Sequence, residues 1–275
     1  MTAHMSSVWD RTTAFASAAL GRIMPVALLL LFVPISIQLA IAPVVAKEDM
    51  ATRFVVMAVF WVIELLGTLS IMMLALGAAA TPGAATGGAL ARLGTAVATF
   101  ILLFVAAGIL AIPMGIGAAM SGMDMAALRA GQATASQITP GVALFLLLYG
   151  IAYVVIVLWL TARLLVIEPV ILAERRGPGA IPRAFAMTRG LALRIVGVLI
   201  LYAIVATVAV LAAETVFGSI LKLVAPDEGD IGVASVITAV IVGAVSTAFK
   251  VVAAIFVAKL YLAIGEAAER MAEAA

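Results

Sequence analysis

The chain has no cysteine and a single histidine, and only 11% of its 275 residues are charged. Without cysteine there is no disulfide, no thiolate nucleophile and no cysteine metal site, and His4 alone cannot assemble a histidine metal cluster. No metal ligands, no cofactor and no catalytic residues are therefore expected, because no nucleophile–base pair at a recognisable spacing replaces them. The reading is that the protein is not an enzyme. No nucleic-acid partner is expected either.

What is abundant is apolar surface. Hydrophobic residues make up 66% of the chain, where soluble domains run near half apolar and about a quarter charged. One soluble core could not bury that much, so the chain reads as all-α, a polytopic integral membrane helical bundle. A helix needs about 20 mostly apolar residues to cross about 30 Å of hydrocarbon. Six stretches satisfy this, near 23–46, 54–80, 94–118, 141–166, 195–221 and 233–262. Runs such as "IMPVALLLLFVPISIQLAIAPVVA" must be helical, since backbone groups in lipid are satisfied only within the segment. That first run ends in "APVVA", similar to a small-residue cleavage site, but secretory h-regions span only about 7–15 residues. A retained helix is favoured.

Orientation follows from Lys and Arg, which are kept on the cytoplasmic face. With the N-terminus inside, Arg11, Arg22, Arg92, Arg163, Arg175, Arg176, Arg183, Arg189, Arg194, Lys259 and Arg270 fall inside. Lys47, Arg53, Arg129 and Lys222 fall outside, and Lys250 lies within the sixth span. The bias predicts N-in and C-in. Twelve arginines against four lysines, with much alanine and glycine, point to a GC-rich bacterial genome and hence to a multi-pass protein of a bacterial inner membrane.

Residues 167–195, "IEPVILAERRGPGAIPRAFAMTRGLALRI", concentrate this charge. Proline disfavours helical geometry in the residue before it, so Glu168-Pro169 disturbs the fourth helix. "GPG" at 177–179 marks a turn, and Pro182 suits the first turn of a new helix. Along that helix Arg183 and Arg194 are expected on one face, with Ile181, Phe185, Thr188, Ala192 and Ile195 along another, as in an interfacial amphipathic helix. Residues 1–22 are read as a second interfacial helix, 167–194 as a basic cytoplasmic loop and 263–275 as a cytoplasmic tail, all within one membrane domain. Arg163, Glu168, Glu174, Arg175, Arg176, Arg183, Arg189 and Arg194 are candidates for holding anionic lipid headgroups or a membrane-protein partner, each basic residue contributing about 1 kcal/mol near an anionic leaflet. The plain alternative is that these arginines only enforce topology and cap helix ends.

The stretch "RLLVIEPVILAERRGPGAIPRAFAMTRGLALRIVGVLILYAI" resembles the most recognisable segment of the bacterial six-helix family typified by the membrane domain of glycerophosphoryl diester phosphodiesterases. Arg163, Pro169, Glu174, Gly177, Ala184, Arg189 and Gly190 carry the likeness. In that family the catalytic barrel is a separate soluble domain. This chain has no room for it and no matching histidine pair, so the resemblance implies the six-helix fold without the hydrolase.

"DRTTAFASAALGRI" (10–23) also lies on "PRAFAMTRGLALRI" (182–195) without gaps, pairing Arg11 with Arg183, Arg22 with Arg194 and Ile23 with Ile195. With "GGALARLGTAVATFILLF" as a third copy, this suggests an interfacial helix and hairpin repeated three times, although low-complexity apolar sequence makes such matches easily. Glu64, Glu214 and Lys250 fall inside predicted spans, Glu64 and Lys250 near the midplane and Glu214 nearer the outer face. Such charges face the bundle interior unless wetted. A structural Glu64–Lys250 ion pair is favoured over a proton or substrate relay. The stripe Ser235, Ala239, Gly243 and Thr247 suits close helix packing, and "TPGAATGGALARLG" lacks the ending of a phosphate loop. The leading expectation is a non-enzymatic membrane scaffold or lipid-interacting module; the runner-up is a transporter of a small solute or lipid using Glu64, Glu214 and Lys250.

Overall fold

The computed structural model describes residues 5–120, 139–224 and 231–273, which are almost wholly helical, with no strand among them. In chain order they form α1 (Met5–Ala18), α2 (Leu20–Ala27), a π-helical turn (Leu28–Phe32), α3 (Val33–Val45), α4 (Met50–Ala75), α5 (Pro82–Met120), α6 (Pro140–Leu164), α7 (Ile167–Glu174), α8 (Ala180–Met187), α9 (Ala192–Val224) and α10 (Val233–Glu273). Six stretches are long and apolar enough to cross a membrane: Leu20–Val45, Met50–Ala75, Pro82–Met120, Pro140–Glu174, Ala192–Leu221 and Val233–Arg270. The chain is an all-α polytopic bundle.

Local chemistry sets several boundaries. Asp49 caps α4, its carboxylate accepting from the backbone N–H groups of Ala51 (2.8 Å) and Thr52 (3.0 Å). Its carboxyl is held below the usual carboxylate range, first by the Thr52 backbone N–H, then by the Thr52 hydroxyl and the Ala51 N–H. Gly77, at φ +72°, takes the left-handed conformation just past the end of α4, the position that glycine fills at low cost. Pro34 follows the π turn, and its missing N–H leaves a helical carbonyl one turn back without its usual donor. Gly67 lets α4 approach that turn, for a Cβ there would lie 2.8 Å from Leu31.

Two helices outrun the bilayer. α5 has 39 residues and α10 has 41, about 60 Å each at 1.5 Å per residue and roughly twice the hydrocarbon thickness. The expected spans at 94–118 and 233–262 fall inside these longer helices. Around them α3 packs on α4 and α10, α4 on α5, α5 on α6, α6 on α9 and α9 on α10, with α4 and α10 also in direct contact. The most buried side chains gather toward one end, where Val8 of α1, Ala85 and Ala89 of α5, Val170 and Ile171 of α7, and Leu260 of α10 form part of one cluster. Elsewhere the helices present large apolar side chains outward, among them Ile101, Phe104, Leu147 and Leu201. Lipid tails solvate such a surface, and association inside lipid relies on close packing more than on the hydrophobic effect.

The helix expected to run from Pro182 through Arg194 is in fact two. α8 stops at Met187, Gly190 turns the chain at φ +80°, and α9 starts at Ala192. Arg183 and Arg194 therefore do not share a helix face. The buried strip of α8 is Ala180 and Ala184, continued by Thr188, while Ile181 and Phe185 are only half-buried. A helix this short seats its smallest side chains against its neighbours. The N-terminal interfacial helix, described from Met5 on, is likewise interrupted at Ala19, and α1 packs along α10.

The gapless match of 10–23 to 182–195 has a structural counterpart. α2 and α9 begin at matched positions, Leu20 and Ala192. Thr12 and Ala184, Ala19 and Leu191, and Ile23 and Ile195 are buried in pairs. The third copy differs, because Arg92 lies in an uninterrupted α5.

Candidate functional site

Three polar features stand out against the apolar bundle, and the first is the basic end. Arg163, near the end of α6, lays its guanidinium over the rings of Trp159 and Phe185, 5.6 and 5.1 Å from their centroids. The Thr188 hydroxyl donates to the Arg163 carbonyl at 2.9 Å. The Arg163 Nε is buried without a hydrogen-bond acceptor. This arginine fastens α8 to α6 and is only partly open to solvent. Glu174 receives the Nε of both Arg176 and Arg183 at 2.9 Å, and the Tyr261 hydroxyl of α10 stands 3.5 Å from the same carboxylate. Glu174 thus ties the loop and α8 to α10. Arg175 takes a left-handed conformation at φ 55° as it closes α7. Arg175, Arg189 and Arg194 are exposed and have no acidic partner among the described residues. Glu168 lies half-buried in the first turn of α7.

Three further contacts at this end were not expected from the sequence. Arg11 pairs with Glu266 through two hydrogen bonds of 2.8 and 3.0 Å, and that carboxylate raises the guanidinium pKa further. Lys259 donates to the Ala75 carbonyl at 2.6 Å, at the end of α4, and stands 4.3 Å from the Phe15 ring centroid. A cation there complements the negative end of the helix dipole. Trp9 packs on Phe256 at 6.4 Å between centroids. Beside them an almost wholly apolar groove of ≈ 560 Å³ runs between α1, α9 and α10, from Trp9 and Phe256 toward Tyr202 and Phe249.

The second feature is the midplane. Glu64 and Lys250 are ion-paired across α4 and α10. At 1.5 Å per residue Glu64 stands about 21 Å from the start of α4 and about 17 Å from its end, close to the middle of that span. The pair is asymmetric, with side-chain exposures of 45% for Lys250 and 11% for Glu64. Where α3 meets α10 the hydroxyls of Ser36 and Thr247 are buried without a hydrogen-bond partner among the described residues, and a Cβ on Gly243 would collide with Ser36. The small-residue stripe of α10 does bring two backbones together. Ala239, Gly243 and Thr247 are its buried members.

The third feature is a groove of ≈ 680 Å³ between α3, α9 and α10, at the end away from the arginines. Glu214 lines it, exposed and with no ion-pair partner among the described residues. Tyr202, one α9 side chain that marks depth, donates to the carbonyl of Phe249, beside Lys250. Glu214 lies about 18 Å further along α9 at 1.5 Å per residue, near the hydrocarbon boundary. The three intramembrane charges are thus a close pair and a distant single acid. Among the described residues no group of three or more His, Asp or Glu could hold a metal ion. No family model matches the chain, and no curated protein and no solved structure matches it.

Proposed function

We propose that the protein is a non-enzymatic inner-membrane module that holds anionic lipid headgroups at its basic end, either as a lipid-interacting unit or as a scaffold for a membrane-protein partner. The observation that carries this reading is the division among the arginines. Arg163, Arg176 and Arg183 are committed to internal contacts, whereas Arg175, Arg189 and Arg194 stand exposed with no acidic partner among the described residues. A topology role alone needs basic residues on one side but gives no reason to hold some of them open. The apolar groove beside Trp9 and Phe256 adds a surface suited to an acyl chain in the same leaflet. With the N- and C-termini on the cytoplasmic side, this end meets the anionic leaflet of a bacterial membrane. As part of the same proposal we place the chain beside the six-helix family it resembles, without the catalytic barrel; Arg163 and Glu174, two residues of that likeness, are the ones that fasten α8. Transport through Glu64, Glu214 and Lys250 draws less support, since two of these neutralise each other and the third is about 18 Å away.

The test is lipid retention. Purified protein in nanodiscs of mixed phosphatidylglycerol and phosphatidylcholine should enrich phosphatidylglycerol, and the enrichment should fall with salt. Neutralising Arg175, Arg189 and Arg194 together should remove about 3 kcal/mol of headgroup attraction at low salt. Neutralising Arg176 and Arg183, which Glu174 already occupies, should remove less. Equal enrichment in wild type and in the triple variant would leave the arginines with topology alone.

A further inference from the structure

The groove at the other end has the opposite chemistry. Its floor is α10 through Ser235, Thr238, Ala239, Val242 and Ser246, and its walls are α9 at Glu214 to Ser219 and α3 at Leu39 and Pro43. Thr238 donates to the Ala234 carbonyl, so its oxygen keeps free lone pairs. A hydroxyl engaged as a donor can still accept. Glu214 faces this space without an ion-pair partner among the described residues, and none of the described residues that line the groove is a lysine or arginine. At about 18 Å from the level of the midplane pair it sits where headgroups begin.

We infer that this groove is a binding site for a primary ammonium group carried on an amphiphile. The ammonium would donate to the Glu214 carboxylate and to the hydroxyl oxygens of Thr215, Ser219 or Thr238, and the apolar part would lie along Leu39, Val210 and Leu211. The chemistry selects for N–H donors. A trimethylated ammonium offers charge but no donor, so it cannot hydrogen-bond to the carboxylate or the hydroxyl oxygens. An arriving ammonium would give the Glu214 carboxylate a charge-assisted hydrogen bond. The inference does not rest on the basic end, which lies in the other half of the molecule and has the other sign of charge.

Native mass spectrometry of the intact, detergent-purified protein tests it, with dilauroyl phosphatidylethanolamine and dilauroyl phosphatidylcholine as matched probes. Both are zwitterionic and share the phosphate, so the basic end treats them alike. Wild type should retain the ethanolamine lipid roughly tenfold more strongly, the difference expected of one charge-assisted hydrogen bond. Glu214→Gln should lose that preference, as should Thr215→Val with Ser219→Ala, which guards against a folding defect in the first variant. Glu269→Gln, at the far end, should keep it. Displacement of the bound lipid by free ethanolamine at matched concentration would assign the site to soluble amines, while its failure would assign it to the lipid. Equal retention of the two lipids by wild type, or a preference that survives Glu214→Gln in a folded protein, overturns the inference.

Discussion

Replacing Glu64 and Lys250 by leucine, singly and together, probes the centre of the bundle. Each single variant leaves a lone charge at the middle of the span. Glu64 keeps 11% of its side-chain exposure, so Lys250→Leu strands a carboxylate among packed helices. Breaking a buried pair in this way costs about 3–5 kcal/mol. Lys250 keeps 45% of its side-chain exposure, but at this depth the open surface meets lipid tails, so Glu64→Leu leaves a lone ammonium facing hydrocarbon. That costs about 3 kcal/mol or more. In the double variant neither charge remains, and two leucines of similar bulk should restore most of the stability. The coupling between the two sites should therefore exceed about 2 kcal/mol. Reversible unfolding of the four proteins in one detergent or bicelle system, followed by circular dichroism, measures it. Small additive effects would reject a structural pair and favour a wetted site.

Other outcomes follow from single contacts. Gly243→Val should push α3 from α10 at Ser36 and cost about 1–3 kcal/mol of overpacking, whereas Gly197→Ala, with open space around it, should be tolerated on the same assay. Asp49→Ala should speed amide exchange at Ala51 and Thr52, whose N–H groups it accepts. Because the Asp49 pKa is depressed in the folded state, its contribution is fully present above the unfolded value of roughly 3.9. It is lost as pH falls from there through the lower folded value. Wild type and Asp49→Ala should converge in exchange rate below that window; a difference that persists would reject the cap. Ile171→Ala, in the packed cluster at the basic end, should cost about 2–5 kcal/mol in the same unfolding experiment, and a loss under 1 kcal/mol, on the order of an exposed site, would mean that α7 is not held by that cluster.

Spans were legible because a run of twenty apolar residues has few alternatives in lipid. The midplane pair was legible too, since two opposite charges at one depth in different spans need each other. Helix ends beyond the bilayer were not, for nothing in the alanine-rich start of α5 or end of α10 distinguishes a projecting helix from a loop by hydropathy. The break between α8 and α9 did leave a signal in "TRG": Gly190 supplies the positive φ that ends one helix and lets the next begin. The partners Lys259–Ala75 and Arg11–Glu266 were hidden, because contacts between distant helices depend on packing that local pattern does not encode. The groove at Glu214 was hidden for the same reason, its hydroxyls being scattered over two helices.

The lipid reading depends on which side of the membrane the arginine-bearing end faces. Gly179, in the exposed turn before α8, and Glu48, in the exposed link between α3 and α4, lie at opposite ends of the bundle. The chain has no cysteine of its own, so Gly179→Cys and Glu48→Cys each give a single reporter. In intact bacterial cells a membrane-impermeant maleimide admitted to the periplasm should label Glu48→Cys, and should reach Gly179→Cys only after the membrane is opened. Labelling of Gly179→Cys from outside in intact cells, or of both positions from the same side, would contradict a six-span bundle whose basic end meets the cytoplasmic leaflet.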